Sequence, residues 1–152
     1  MLRTWVLLLL GVLALSACAP TRPVFPPSAA VQEIRALPDG RWQVTLRVQN
    51  YALRGMHFAR ADLALDIAGQ AAGRLAAALD LEIAETGSDT VTLPLQATPA
   101  ARAALAADRH GNVAYALSGS LQAGPTRAEL KTYPITHRGY LSPVPGLPDA
   151  WR

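Results

Sequence analysis

The chain has 152 residues, the length of one ordinary domain. Apolar residues make up 51% of it, aromatics only 6%, and the formal net charge is +3, with Lys131 the only lysine. The basic residues are scattered rather than gathered into a stripe that tracks phosphates, which argues against nucleic acid as a partner.

The first residues read as a processing signal. Arg3 supplies a short basic start, and residues 5–17 form an apolar run of 13 residues. A helix needs roughly 20 residues to span a bilayer, so this run fits a secretory signal peptide better than a membrane span. It ends in Leu15-Ser16-Ala17-Cys18, and Cys18 is the only cysteine, which excludes a disulfide within the chain. These four residues resemble the bacterial lipobox. The resemblance implies cleavage before Cys18, a diacylglycerol on its sulfur and a fatty acyl group on its new amine. The alternative is an ordinary signal peptide that leaves a free thiol. One acyl chain holds a protein only marginally, at about 0.8 kcal/mol per buried methylene, whereas several chains on one residue hold it stably. Ala19 follows the cysteine where an aspartate is associated with inner-membrane retention. On the same family grounds the expected location is the outer membrane, facing the periplasm.

Residues 19–28, APTRPVFPPS, contain four prolines and favour an extended polyproline II tether, about 3.1 Å per residue. The chain therefore divides into a signal peptide (1–17), a lipidated cysteine and tether (18–28), a folded body (29–141) and a proline-rich tail (142–152).

The body begins with residues 30–36, AVQEIRA, paired through the turn signal LPDG with RWQVTLRVQ at 41–49. Trp42, Val44, Leu46 and Val48 alternate with Arg41, Gln43, Thr45, Arg47 and Gln49, a period of two that predicts a strand with one wet face. The same alternation recurs at Leu63, Leu65 and Ile67, at Leu79, Leu81 and Ile83, and at Val91, Leu93 and Leu95. Val113, Tyr115, Leu117 and Leu121 share one parity, completed by Gly119. Residues 70–83 are alanine-rich enough for a helix, but Gly73 and the flanking parity predict a strand. Pro134, within the strand-like 127–136, predicts an edge or a bulge. Short strands at this spacing, with turn residues at Gly69, Gly87-Ser88 and Gly124-Pro125, predict an all-β antiparallel sandwich of about seven strands.

One helix interrupts the strands. Thr98 is placed as its N-cap and Pro99 at its first turn, alanines fill its interior, Arg109 and His110 fall in its last turn, and Gly111 stops it. It should run near residues 99–109 and cap an end or edge of the sandwich, since Leu105 is its only large apolar residue. Beyond it, the prolines of SPVPGLPDAWR (142–152) predict neither strand nor helix, with Leu147 and Trp151 available to pack back.

The order of these pieces resembles the late embryogenesis abundant type 2 family, also called the water-stress and hypersensitive-response domain. The resemblance spans roughly residues 29–141. VTLRVQNYALRGMHFARADLALDIAGQAAGRL follows the family's course: Asn50 matches its strand-end asparagine, Tyr51 stands in place of the usual proline, and Ala68-Gly69 in place of the usual Asn-Gly. DTVTLPLQ matches the strand before the helix, and ELKTYPITHRGYL the closing strands. The resemblance implies a seven-stranded sandwich related to immunoglobulin or fibronectin type III topology. It implies a link to dehydration and defence, and it carries no catalytic residues and no cofactor.

The candidate residues point the same way. Asn50, at a strand end, is placed to close an Asx-turn and fix residues 50–55. His57, His110 and His137 lie too far apart for a zinc-type spacing and read as surface or loop residues, with His110 favourable at a helix C-terminus. Ser118 and Ser120 flank a glycine inside a predicted strand and do not form a nucleophile elbow. Asp62 with Asp66, and Asp80 with Glu82, share strand faces where acid–base work is conceivable, but solvated sheet faces are the commoner use. An interior slot for an apolar ligand would need small side chains that fail to close it. The expectation is a membrane-anchored envelope lipoprotein with a non-enzymatic sandwich. Its role would be stress-protective or interactive, with an envelope protein or lipid as partner. The alternatives are a carrier for lipid or another apolar ligand and, further off, a hydrolase.

Overall fold

The computed structural model describes residues 25–107 and 111–152. The signal peptide, Cys18 and most of the tether lie outside the described residues, as do Arg109 and His110. No helix among the described residues is long and apolar enough to cross a membrane.

The fold is the expected antiparallel sandwich with one short helix. In chain order the elements are β1 (Ser28–Ala36), β2 (Trp42–Gln49), β3 (Met56–Ile67), β4 (Gln70–Ile83), β5 (Ser88–Leu95), α1 (Pro99–Ala107), β6 (Val113–Gly124), β7 (Lys131–Leu141), β8 (Pro143–Val144) and β9 (Leu147–Trp151). One sheet has the order β5-β2-β1-β9-β8, the other β4-β3-β6-β7. Alternation decides which residues meet between them. Trp42, Val44, Leu46 and Val48 of β2 are buried, as are Leu63, Leu65 and Ile67 of β3 and Leu117 and Leu121 of β6. Burying each such side chain is worth about 1.5–3 kcal/mol, so the inner faces supply most of the driving force.

β4 is a strand, and two irregularities explain its mixed pattern. Its register against β3 shifts between Leu65 and Asp66, so that Ala72 and then Leu75 both face inward. It shifts again opposite Ala59, where Asp80 takes a φ of 49°. Between β6 and β3 the backbones approach so closely that a Cβ on Gly119 would collide with the Asp62 carbonyl; Gly119 also has a φ of 145°. Only glycine satisfies both conditions. Pro134 lies in β7 and Pro94 in β5, both edge strands, where a missing N–H costs no ladder bond.

Helix α1 starts as predicted. Thr98 Oγ1 accepts from Ala101 N–H (3.3 Å) and donates to the Ala71 carbonyl (2.6 Å), tying the helix start to β4. Ala101 and Leu105 are buried in the core.

Two boundaries differ from expectation. The body begins before residue 29, because Ser28 already pairs with Gln49 and Pro27 is buried. The tail, expected to be free of regular structure, forms the hairpin of β8 and β9, which raises the strand count to nine. Its prolines do not prevent this. Pro143 is on an outermost strand, and the pairing of β9 with β1 needs only Ala150 and Trp151, leaving Pro148 outside the ladder. Ser142 and Arg152 exchange both backbone hydrogen bonds, and Arg152 Nε donates to Glu33 Oε2 (2.7 Å).

Candidate functional site

The strand ends define two poles. One gathers the start of β1, the loop 50–55, the loop 84–87 and the loop 125–130. The other gathers the β3–β4 turn, α1 and the C-terminal hairpin.

Asn50 organises the first pole. It is fully buried. Its Oδ1 accepts from Ala52 N–H (2.9 Å), an Asx-turn, while its Nδ2 faces the carbonyls of Arg54 (2.8 Å), Ala84 (2.9 Å) and Ile83 (3.2 Å). One amide thus joins the loop after β2 to the end of β4. Asn50 N–H donates to Gly87 O, and Thr86 N–H to Ala52 O, which seals the 84–87 loop onto the same node. Each partner is main chain, so the site reads as structural.

Gly69 sits at the other pole, in the turn between β3 and β4. Ala68 and Gly69 have φ of 48° and 77°, the two positive values that a tight two-residue hairpin turn requires. Glycine takes this conformation freely; Ala68 does so at a cost.

His57 corrects a sequence expectation. It is a buried residue of β3, between the equally buried Met56 and Phe58, not a surface or loop residue. It lies opposite Glu82, and its Nδ1 donates to Glu82 Oε1 (2.8 Å), with Nε2 3.8 Å from Asp80 Oδ1. Asp80 in turn meets Arg127 (2.6 Å). Two acidic side chains and one from the 125–130 loop are therefore drawn together over β3. Sequence reasoning missed this because the irregularity in β4 at Asp80 cannot be seen in its alternation.

The other candidates remain apart. His137 stacks beside Tyr115, ring centroids 5.8 Å apart, while Ser118 lies on the opposite, exposed face of the sheet. Asp62 accepts two hydrogen bonds from Arg74, which hold its carboxyl below the usual carboxylate range. Burial pushes the Tyr115 phenol upward; its hydroxyl donates to Val31 O across the sandwich (3.4 Å). No three His, Asp, Glu or Cys side chains among the described residues are placed to hold a metal ion. Beside the C-terminal hairpin a cleft of 580 Å³ is lined by Asn112, Ser142, Val144, Leu147 and Trp151.

No family model matches this chain, and no curated protein matches it. Among solved structures, a protein from Archaeoglobus fulgidus aligns over 80% of this chain and 98% of its own, at 6% identity and a TM-score of 0.47.

Proposed function

We propose that this chain is a lipoprotein of the bacterial envelope, held in the outer membrane by acylated Cys18. Its sandwich would serve interaction or stress protection without catalysis, as a domain of the late embryogenesis abundant type 2 kind. The observation that carries the anchor is Leu15-Ser16-Ala17-Cys18 at the end of an apolar run of signal-peptide length, followed at once by a proline-rich tether. The geometry is in keeping with a role that lacks catalysis. The polar side chains best placed for chemistry are engaged with each other or with the main chain: His57 with Glu82, Asp80 with Arg127, Asp62 with Arg74, Asn50 with three carbonyls. The inner faces close on each other with side chains at zero exposure, which favours an interaction domain over a carrier with an interior slot.

The test is metabolic labelling with a palmitate analogue, followed by mass spectrometry of the N-terminal peptide. Wild type should carry label and an acylated Cys18, and Cys18→Ser should carry neither and leave the membrane fraction. A Cys18→Ser protein still processed and anchored would refute the anchor. Deletion of the gene should sensitise cells to drying or osmotic shock, and unchanged survival under both would remove the protective reading.

A further inference from the structure

We propose that the tether-side pole of the sandwich is itself a membrane-contacting surface, seated on the bilayer that holds the anchor. This rests on the anchored reading above.

Four of the six large apolar side chains exposed among the described residues lie at this pole: Phe25, Tyr51, Leu53 and Leu130, with exposures of 50, 49, 52 and 38%; Tyr140 and Leu147 lie apart from them at the other. Scattered singly such residues need no explanation, but several at one end of a small domain mark an interaction surface. Two of them are held outward by design of the loop. The Asx-turn at Asn50 buries Ala52, so its neighbours Tyr51 and Leu53 must point away from the core. Because the Asn50 amide already fixes this loop, little conformational entropy remains to be lost on contact. Tyr51 pairs an apolar ring with a polar tip, a combination that suits the membrane–water boundary.

The chain itself says which surface covers this pole. The described residues begin at Phe25, at this end, and Cys18 is seven residues earlier. Seven residues reach at most about 25 Å. An acylated Cys18 therefore keeps this pole, not the opposite one, within reach of the lipid. Charge does not draw this pole to a lipid surface: Arg54, Arg127 and Lys131 stand against Asp80, Glu82, Glu85, Asp89 and Glu129 among its exposed residues. The contact is made by apolar side chains, and it persists at high salt.

The experiment uses the full lipidated protein in vesicles of phosphatidylethanolamine and phosphatidylglycerol, with or without brominated acyl chains. Tyr51→Trp reports on the tether-side pole, and Tyr140→Trp, 71% exposed and near the end of β7, on the opposite one. Trp42 and Trp151 are buried and give both variants the same background. Bromine should quench the Tyr51→Trp emission several-fold more than that of Tyr140→Trp, at low and high salt alike. Adding Leu53→Asp should reduce that difference while the protein stays on the vesicles. If Tyr51→Trp perturbs the fold, as read by circular dichroism, Leu53→Trp takes its place. Equal quenching of both poles in protein whose acylation is confirmed by mass would overturn the contact while leaving the anchor intact. Shielding of Tyr51→Trp that depends on protein concentration, with no bromine effect, would also overturn it and assign the pole to a second copy. Protein without acyl chains that fails to float with the vesicles would overturn both readings together.

Discussion

At the tether-side pole one buried amide ties together three carbonyls and an N–H from segments about thirty residues apart in the chain. At the helix-side pole the chain relies on separate local devices: a threonine cap at Thr98, a two-residue turn at Ala68 and Gly69, and a hairpin joined to β1 by two residue pairs. The first pole is a single node, and the second is an assembly of parts. A node fails as a whole when its one residue changes, whereas parts can be altered, or improved, one at a time.

The largest effect should therefore come from Asn50→Ala. It leaves three carbonyls and one N–H without their partner in a buried place, and unmade bonds there cost about 1–3 kcal/mol each. Allowing for water that enters, the expected loss is roughly 3–5 kcal/mol in urea or thermal unfolding. Asn50→Asp should not recover this, because a buried carboxylate can still accept from Ala52 N–H but turns its second oxygen, with no proton to donate, toward the three carbonyls. A loss below about 1 kcal/mol for Asn50→Ala would mean that the amide is not the node. At the opposite pole the next effect has the reverse sign. Ala68 holds a φ of 48° that costs an L-residue roughly 1–2 kcal/mol, and asparagine adopts it more readily. Ala68→Asn should stabilise by about 0.5–1 kcal/mol, read as a rise in Tm, and a neutral or destabilising outcome would show that this turn carries no strain.

The same contrast explains what the sequence made legible. Local signals carry through to the structure: the alternation of residues 41–49, the Thr98-Pro99 helix start, and the edge placement of Pro134 all depend on neighbours in the chain. The structural role of Asn50 was legible because an Asx-turn is local, but its three carbonyl partners were not, since two of them belong to the end of β4. The burial of His57 is illegible for the same reason. Its burial depends on Glu82 and Asp80 arriving across the sheet after a register shift that no alternation reveals. The tail departs from expectation differently. Its prolines do break a ladder, but β9 needs so short a ladder that Pro148 falls outside it. Trp151, an isolated large apolar residue near the end of the sequence, was the available sign that the segment packs back.

Trp151 also supplies the smallest and sharpest test of the helix-side pole. Trp151 is 4% exposed, and among the described residues its Nε1–H meets no hydrogen-bond partner, so the side chain contributes packing while its polar atom opposes folding. An unpaired buried N–H costs about 1–3 kcal/mol. Trp151→Phe removes that penalty together with part of the ring, and the two changes act in opposite directions. The net loss should stay below about 1 kcal/mol, well under the 3–5 kcal/mol expected when a buried aromatic is cut to alanine. Unfolding of Trp151→Phe beside Trp151→Ala measures the difference. If phenylalanine costs nearly as much as alanine, the indole N–H is bonded in solution, and the hairpin is held by a polar contact rather than by packing alone.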